Sequence, residues 1–233
     1  MENKVILANK PELATITLAA GDEGNLLTSQ DLADLEDAIK TVQHAGTPLL
    51  VIRQTGRDFC AGRAPGPSSL ADRERLSEIV RRLREVTAVT VSLADGACAG
   101  FGVGLFALAD ISLATPSTWF QFPEVAKGHA PALVTSWLFD YVPRKRALAW
   151  IMTGARISAA EALAAGIVTE VVPAAELPAR ADELIGELSA LSPGALRECR
   201  TLADIMGGGA PDRRSQASIA VKWLTAARAE PGR

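Results

Sequence analysis

The sequence is poor in the residues that build metal and redox centres. Its 233 residues include two histidines and three cysteines, namely His44, His129, Cys60, Cys98 and Cys199. None of them has the spacing of a metal-ligand motif, and an odd number of cysteines does not make a closed set of disulfides. We therefore expect no metal site and no redox function.

Long apolar runs and a strong charge of one sign are also missing. No apolar stretch approaches the ~20 residues that span a bilayer, and residues 1–4 lack the basic start and apolar core of a signal peptide. We expect a cytoplasmic protein with no membrane partner. A net charge of −3 argues against a nucleic-acid partner. A local basic cluster is expected to be a solvated helix face: Arg73, Arg75, Arg81, Arg82 and Arg84.

The pattern of apolar residues alternates between strands and helices. With 48% hydrophobic residues the chain has ample material for a core. Strands are predicted over residues 13–18, 49–52, 89–94, 111–114 and 167–172, and helices over residues 29–42, 73–86, 133–142 and 144–153. From residue 176 onward we expect two or three helices, interrupted at residues 192–194 and 207–209. This order predicts an α/β fold with a helical appendage and a recurring strand, strand, helix unit.

The most informative segment is the glycine-rich turn at residues 100–104, which follows a predicted strand and opens a helix. Helix N-termini with bare backbone bind anions. The dinucleotide fingerprint fails, because its third glycine would have to follow Gly104 by one position. A phosphate-binding P-loop fails as well, because no Lys-Ser/Thr pair follows the glycines. Glycines that serve only close packing of helix on sheet remain an alternative.

Three further motifs accompany the glycine turn. They are Asp-Phe-Cys-Ala-Gly-Arg at residues 58–63, Trp-Phe-Gln-Phe-Pro-Glu at residues 119–124, and Thr-Gly-x-x-Ile-x-Ala-x-Glu-Ala-x-x-x-Gly-x-Val at residues 153–168. In this order and spacing they resemble the crotonase, or enoyl-CoA hydratase/isomerase, superfamily. The resemblance runs from about residue 15 to residue 200, and the last motif is the most specific.

The resemblance implies a fold and an assembly. We expect a spiral of ββα units in residues 1–190, which would hold a CoA-thioester site. Residues 191–233 are expected to form a helical C-terminal region for oligomerisation and for covering the pocket. The partner implied is an acyl-CoA thioester, with CoA as part of the substrate and no separate cofactor. A homotrimer or a dimer of trimers is expected.

The resemblance also implies a set of site residues. The backbone N–H groups of Arg63 and Phe101 occupy the positions of an oxyanion hole, which stabilises the negative charge of a thioester enolate. Ala61 is expected near the adenine of CoA. Arg200 stands where the family often has a lysine, so it is expected to meet a CoA phosphate, although an exposed helical arginine is the alternative. Glu124 is the expected acid and base.

The resemblance favours an isomerase, because one of the two glutamates of a hydratase is missing. Gly104 stands at that glutamate's position, and Ala132 stands where some branches carry a second acid. The aromatic residues Trp119 and Phe122 are expected either to line the pocket or to belong to the core. His129 is a possible polar helper. The alternatives are a hydratase of enoyl- or dienoyl-CoA with a water or small anion near Gly104, a non-catalytic acyl-CoA-binding protein, and a thioester hydrolase or C–C lyase.

Overall fold

A computed structural model of the protein describes residues 4–19, 24–66 and 69–206. Its strands are β1 (Val5–Asn9), β2 (Leu13–Ala19), β3 (Leu49–Thr55), β4 (Val89–Ala94), β5 (Ala97–Ala99), β6 (Ile111–Ala114), β7 (Trp119–Gln121), β8 (Ile157–Ser158) and β9 (Glu170–Val171). Its helices are α1 (Ser29–Ala45), α2 (Leu70–Glu85), α3 (Phe101–Ala107), α4 (Ala132–Tyr141), α5 (Arg144–Thr153), α6 (Ala159–Ala165), α7 (Leu177–Ser189) and α8 (Pro193–Met206), with a 3₁₀ turn at Val125–Lys127. The predicted α/β class is confirmed.

The larger sheet has six strands in the order β1-β2-β3-β4-β6-β9. Only the β1–β2 pair in this sheet is antiparallel, and the other neighbours run parallel. Strand β3 shows why parallel strands here are apolar throughout. Leu50 and Ile52 pack into the main core, while Leu49 and Val51 pack on the opposite face against α7. Both faces of the sheet are therefore covered, as a short, wholly apolar run predicts.

A second layer of short extended segments follows the larger sheet. Strands β5, β7 and β8 form a three-stranded sheet, and two parallel bridges, Leu27 with Arg63 and Cys60 with Cys98, extend its pairing to earlier segments. After each of β2, β3 and β4 the chain thus enters the second layer and then a helix. The predicted recurrence of strand, strand and helix is confirmed.

Four short or edge strands were missing from the sequence prediction. They are β1, β5, β7 and β8, of five, three, three and two residues. Such short segments show no complete period of alternation, and their pairing partners are distant in sequence. Helix α2 begins at Leu70 rather than near residue 73, because Ser69 and Asp72 form a reciprocal capping box. The strand predicted over residues 167–172 is reduced to Glu170–Val171.

The C-terminal helices pack on the outer face of the larger sheet. Ala181, Leu184 and Leu188 of α7 cover the outward residues of β3 and β4. The interruption predicted at residues 192–194 precedes α8, whereas the one at residues 207–209 lies outside the described residues. The division into residues 1–190 and 191–233 stays a prediction, since most of the second part also lies outside them. No helix in the described part is long and apolar enough to cross a membrane.

Candidate active site

A cavity of about 250 Å³ opens between the second layer and the segment that follows β7. It is lined by residues from the loop before α2, from α2 itself, from the glycine turn, and from the loop and helix after β7. These residues are Ala61, Gly62, Arg63, Arg73, Leu76, Gly100, Phe101, Pro123, Glu124, Lys127, His129, Ala130, Pro131, Ala132, Leu133 and Val134. The cavity thus contains five of the predicted site residues: Ala61, Arg63, Phe101, Glu124 and Ala132.

The backbone of Arg63 is turned toward the inside of this site. Leu27 donates its N–H to Gly62 O at 2.9 Å and accepts from Ala64 N at 2.9 Å. In this parallel bridge Leu27 bonds to the residues on either side of Arg63, so the N–H of Arg63 itself lies on the opposite side of its segment. The Arg63 N–H therefore points away from Leu27, toward the side of the neighbouring β5 segment. It has no hydrogen-bond partner among the described residues.

The second backbone donor is Phe101, the first residue of α3. The first N–H groups of a helix lack partners within the helix, and α3 has no side-chain cap. Gly100 precedes it with φ 53° and ψ −119°, a conformation available essentially to glycine alone. A Cβ at Gly100 would also lie 3.2 Å from Glu124 Oε1. The glycine therefore gives the chain its turn and lets the carboxylate approach the helix start.

The two donor segments are held to each other by the second layer. Cys60 N donates to Ala97 O and Ala99 N donates to Cys60 O, both at 2.9 Å. Cys60 and Cys98 are the paired residues, and Arg63 and Phe101 each follow their paired cysteine by three positions. Both thiols are fully buried, and burial raises the pKa of Cys60 to about 12. The cysteines are structural and unreactive in this setting.

Glu124 brings a carboxylate to the same cavity. Its Oε2 atom is buried and has no hydrogen-bond partner among the described residues. Burial raises the pKa of this carboxyl, and the opposing effects of a backbone hydrogen bond and of Lys127 are smaller. Lys127 N and His129 N both donate to Glu124 O, at 3.0 and 2.9 Å, so the backbone of Glu124 is held in a tight turn. A buried carboxyl with a raised pKa in a cavity is suited to accept a proton.

The structure places Gly104 away from the cavity. A Cβ at Gly104 would meet Trp137 of α4, at 3.6 Å from Cζ2 and 3.7 Å from Nε1. Trp137 is 1% exposed and belongs to the main core. The side of Gly104 that a side chain would occupy therefore faces the indole in the core, and Gly104 does not line the cavity that holds Glu124. The pocket assignment of Gly104 needs this correction.

The aromatic residues Trp119 and Phe122 do not line the cavity either. Phe122 is fully buried in the main core. The Trp119 ring lies under the guanidinium of Arg156, with 4.0 Å from the Arg156 Cζ atom to the ring centroid. Apolar lining comes instead from Leu76, Leu133 and Val134, together with Phe101.

Arg200 also lies elsewhere. Its Nε atom donates to Asp110 Oδ1 at 2.9 Å, and its terminal nitrogens donate to carbonyls at the end of α2 and beyond it: Leu83 at 2.9 Å, Ala88 at 3.0 Å, and Val86. The guanidinium thus caps the carbonyl end of α2 and is fully engaged. A contact with a CoA phosphate is not supported by this arrangement, and neither is the alternative of a solvated helical arginine.

Sequence analysis missed Arg73 and Lys127, which add positive charge to the cavity wall. The basic cluster was expected to be a solvated face, and Arg75, Arg81 and Arg82 do pair with acidic residues on α1 or α2. Arg73 is different, because it precedes Leu76, Val80 and Leu83 at helical spacing. Val80 and Leu83 are buried, and Leu76 lines the cavity. Arg73 thus continues the apolar stripe of α2, and this helical spacing is the sequence signal that could have placed it at the cavity.

Comparison with known proteins agrees with these features. A family model described as enoyl-CoA hydratase/isomerase matches residues 9–206. The chain belongs to this family. It is similar to the probable enoyl-CoA hydratase echA6 of Mycobacterium leprae, with 29% identity over 182 residues, which span 74% of this chain and 72% of the relative.

Solved structures of this family share the fold. An enoyl-CoA hydratase subunit I from Geobacillus kaustophilus has 27% identity and a TM-score of 0.80, over 96% of this chain and 90% of that one. An enoyl-CoA hydratase from Mycobacterium avium subsp. paratuberculosis has 21% identity and a TM-score of 0.86, over 98% and 91%. The crotonase-like fold expected from the motifs is confirmed. Within the described residues, no group of three or more His, Cys, Asp or Glu side chains could hold a metal ion.

Proposed function

We propose that the protein is an acyl-CoA enzyme that shifts the double bond of a 3-enoyl-CoA thioester to the 2-position. The observation that carries the proposal is the Glu124 carboxylate. It shares one cavity with the backbone N–H groups of Arg63 and Phe101, and it is the one carboxylate among the described lining residues. Its buried Oε2 atom has no partner in the described part of the chain. A single base facing two N–H donors fits a reaction that removes and returns one proton.

The reaction takes two proton transfers. Glu124 takes a proton from the carbon next to the thioester carbonyl, and the electrons of that C–H bond move through the carbonyl group to its oxygen. The resulting dienolate carries its negative charge between the N–H groups of Arg63 and Phe101. The Glu124 carboxyl then returns the proton to the fourth carbon, the carbonyl re-forms, and the double bond lies between the second and third carbons. No other reactant is consumed.

The two halves of the site contribute by different physical means. Backbone donors are fixed in advance and cannot ionise, and the loss of one such donor typically lowers a rate by ~10²–10³. Burial raises the pKa of the Glu124 carboxyl, which strengthens it as a base toward a weakly acidic carbon. The apolar lining from Leu76, Leu133 and Val134 keeps this pKa raised by limiting contact with water.

A hydratase is the second candidate, because the Mycobacterium leprae relative is named a probable enoyl-CoA hydratase. Addition of water needs a second group or a bound anion to hold the water opposite Glu124. Gly104 faces the Trp137 indole and does not line the cavity that holds Glu124, so the structure offers no place there for a water held opposite Glu124. We therefore rank the isomerase first.

The decisive experiment follows the double bond and the solvent proton together. Purified protein is given 3-enoyl-CoA and, separately, 2-enoyl-CoA in deuterated water, and the products are analysed by mass spectrometry and NMR. We expect migration of the double bond with incorporation of deuterium. Glu124→Gln should lower the rate by ~10²–10⁴, since general acid–base catalysis contributes about that much. Glu198→Gln, at an exposed position on α8, is the matched control.

Three results would contradict the proposal. Addition of water to 2-enoyl-CoA without migration of the double bond would establish the hydratase instead. Tight binding of the thioesters without any turnover would establish a binding protein, and release of free CoA would establish a hydrolase. The homotrimeric or hexameric assembly, the cytoplasmic location and the covering role of residues 191–233 are proposed on the family resemblance alone.

A further inference from the structure

The wall of the cavity carries more positive charge than the proposed reaction uses. Arg63, Arg73 and Lys127 line it, against the single carboxylate of Glu124. Arg63 donates from a terminal nitrogen to Asp72 Oδ2 at 3.3 Å, although its Nε atom is buried and has no hydrogen-bond partner among the described residues. Lys127 is exposed at the rim and acts on Glu124 through its charge. Arg73 is the cation to explain, because Arg63 has an ion pair with Asp72 whereas the Arg73 side chain has no ion pair or hydrogen bond with any described residue.

Arg73 has a buried donor that no described group satisfies. Its Nε atom is buried and has no hydrogen-bond partner in residues 4–19, 24–66 and 69–206. Arg75, two positions along the same helix, differs in this respect, because its Nε donates to Glu36 Oε2 at 3.2 Å. A buried donor without a partner is destabilising. An oxygen of a bound molecule would remove that penalty, and an anionic oxygen would do so best.

The surroundings of Arg73 indicate which part of a ligand supplies this oxygen. The guanidinium shares the cavity with Leu76, Leu133 and Val134, which are the apolar residues suited to a hydrocarbon chain. The cavity has a volume of about 250 Å³ and opens to solvent on one side. It therefore has room for a short acyl group next to the thioester.

We infer that this site accepts short acyl-CoA thioesters whose acyl chain ends in a carboxylate, with Arg73 as the residue that recognises that carboxylate. The inference rests on the proposed function only in taking the cavity as the acyl-thioester site. The carboxylate would lie against the guanidinium, and the methylene groups would lie against the apolar wall. The shared chemistry is an anionic oxygen, which a phosphate of CoA could also supply, and the experiment separates the two sources.

The experiment measures binding of unreactive thioesters by calorimetry. Glutaryl-CoA and pentanoyl-CoA have acyl chains of the same length, one ending in a carboxylate and one in a methyl group, and free CoA has neither. We expect the wild-type protein to bind glutaryl-CoA on the order of tenfold more tightly than pentanoyl-CoA. Arg73→Met should abolish this preference and leave free CoA unchanged. Arg75→Met, on the same helix, should retain it.

Three outcomes would overturn the inference, and one would refute only the proposed isomerase. Equal wild-type affinity for glutaryl-CoA and pentanoyl-CoA would do so without any variant, even if Arg73→Met failed to fold. Equal weakening of all three compounds by Arg73→Met would assign Arg73 to a CoA phosphate. A glutaryl-CoA preference without turnover of 3-enoyl-CoA would refute the proposed isomerase and keep the inference. Pentanoyl-CoA binding and isomerase activity without a carboxylate preference would refute the inference alone.

Discussion

Two glycines in the first turns of α3 should respond in opposite ways to the same substitution. A Cβ at Gly102 would lie 2.1 Å from the carbonyl oxygen of Cys60 and 2.9 Å from its carbonyl carbon. A Cβ at Gly104 would meet only the Trp137 indole, at 3.6 Å or more. The first contact is sterically impossible without movement, whereas the second is ordinary van der Waals contact.

The magnitudes follow from these distances. Carbon and carbonyl oxygen normally approach to ~3.3 Å, so Gly102→Ala forces α3 and the Cys60 segment apart by about 1.2 Å. Both are backbone elements that cannot rotate away, and overpacking of this kind costs about 3 kcal/mol or more. In Gly104→Ala the added methyl group fits, and the helix gains about 0.5–1 kcal/mol because alanine loses less backbone freedom than glycine.

Urea unfolding followed by circular dichroism measures both changes. Gly102→Ala should lower the midpoint, Gly104→Ala should raise it slightly, and the slope should stay the same in each. Gly102→Ala should also lower isomerase activity, because it moves the N–H of Phe101 relative to that of Arg63. Wild-type stability in Gly102→Ala, or equal losses in the two variants, would refute the steric reasoning.

Three further predictions concern Glu124, Arg200 and Trp137. Burial raises the pKa of Glu124, and only the deprotonated carboxylate acts as base, so kcat should fall as the pH is lowered through that raised pKa. Lys127→Met removes a charge that lowers the pKa of Glu124. In a pH–rate profile of this variant, the fall in kcat should therefore begin at a higher pH than in the wild type. Arg200→Met should destabilise the protein by ~1.5–3 kcal/mol in urea unfolding, because charged hydrogen bonds to the end of α2 are lost, and it should leave CoA affinity unchanged in calorimetry. Trp137→Ala should cost about 3–5 kcal/mol in the same unfolding assay, because the side chain is 1% exposed.

Each of these has a result that would contradict it. A pH–rate profile identical in the wild type and Lys127→Met would show that Lys127 does not act on the base. A loss of CoA affinity in Arg200→Met without a loss of stability would restore the CoA contact expected from the resemblance. Wild-type stability in Trp137→Ala would mean that the indole is not part of the core.

The stability of Glu124→Gln provides an independent check on the pKa direction. A group whose pKa is raised in the folded state stabilises the fold fully below its unfolded pKa, and this contribution is lost as pH rises through the folded pKa. Glu124 is such a group. Glu124→Gln should therefore be more stable than the wild type at neutral pH, with the difference vanishing in acid. A difference that grows toward low pH would reverse the assignment.

The parts of the fold that sequence analysis predicted well are those with a local periodic signal. Strand β4 and helix α5 have the predicted bounds, and α5 lies between Pro143 and Gly154, which mark its ends in the sequence. The short strands β5 and β7 were missed, because three residues hold no period and their stability comes from pairing with each other and with Cys60. Pairing between distant segments is not visible in a local pattern.

The predictions for the candidate site also differ in accuracy according to whether they depend on local sequence or on packing in three dimensions. Motif positions that depend on the backbone brought Arg63, Phe101 and Glu124 to one cavity as expected from the resemblance. Predictions that depend on where a side chain points did less well: Gly104 faces Trp137, Trp119 contacts Arg156, and Arg200 caps α2. Orientation follows from packing among helices that meet only in three dimensions, so no local pattern could determine it.

Arg63 and Phe101 hold equivalent positions, each three residues after one of the paired cysteines Cys60 and Cys98. This equivalence has a consequence for the effect of substitutions around the site. Neighbouring strands lie ~4.8 Å apart. Two donors at about that separation can both reach a single oxygen at ~2.9 Å from each. The distance between the two backbone donors then follows from the spacing of the paired segments, and no side chain sets it. Substitutions in the surrounding wall can therefore alter which acyl group enters while the charge-stabilising centre keeps its dimensions.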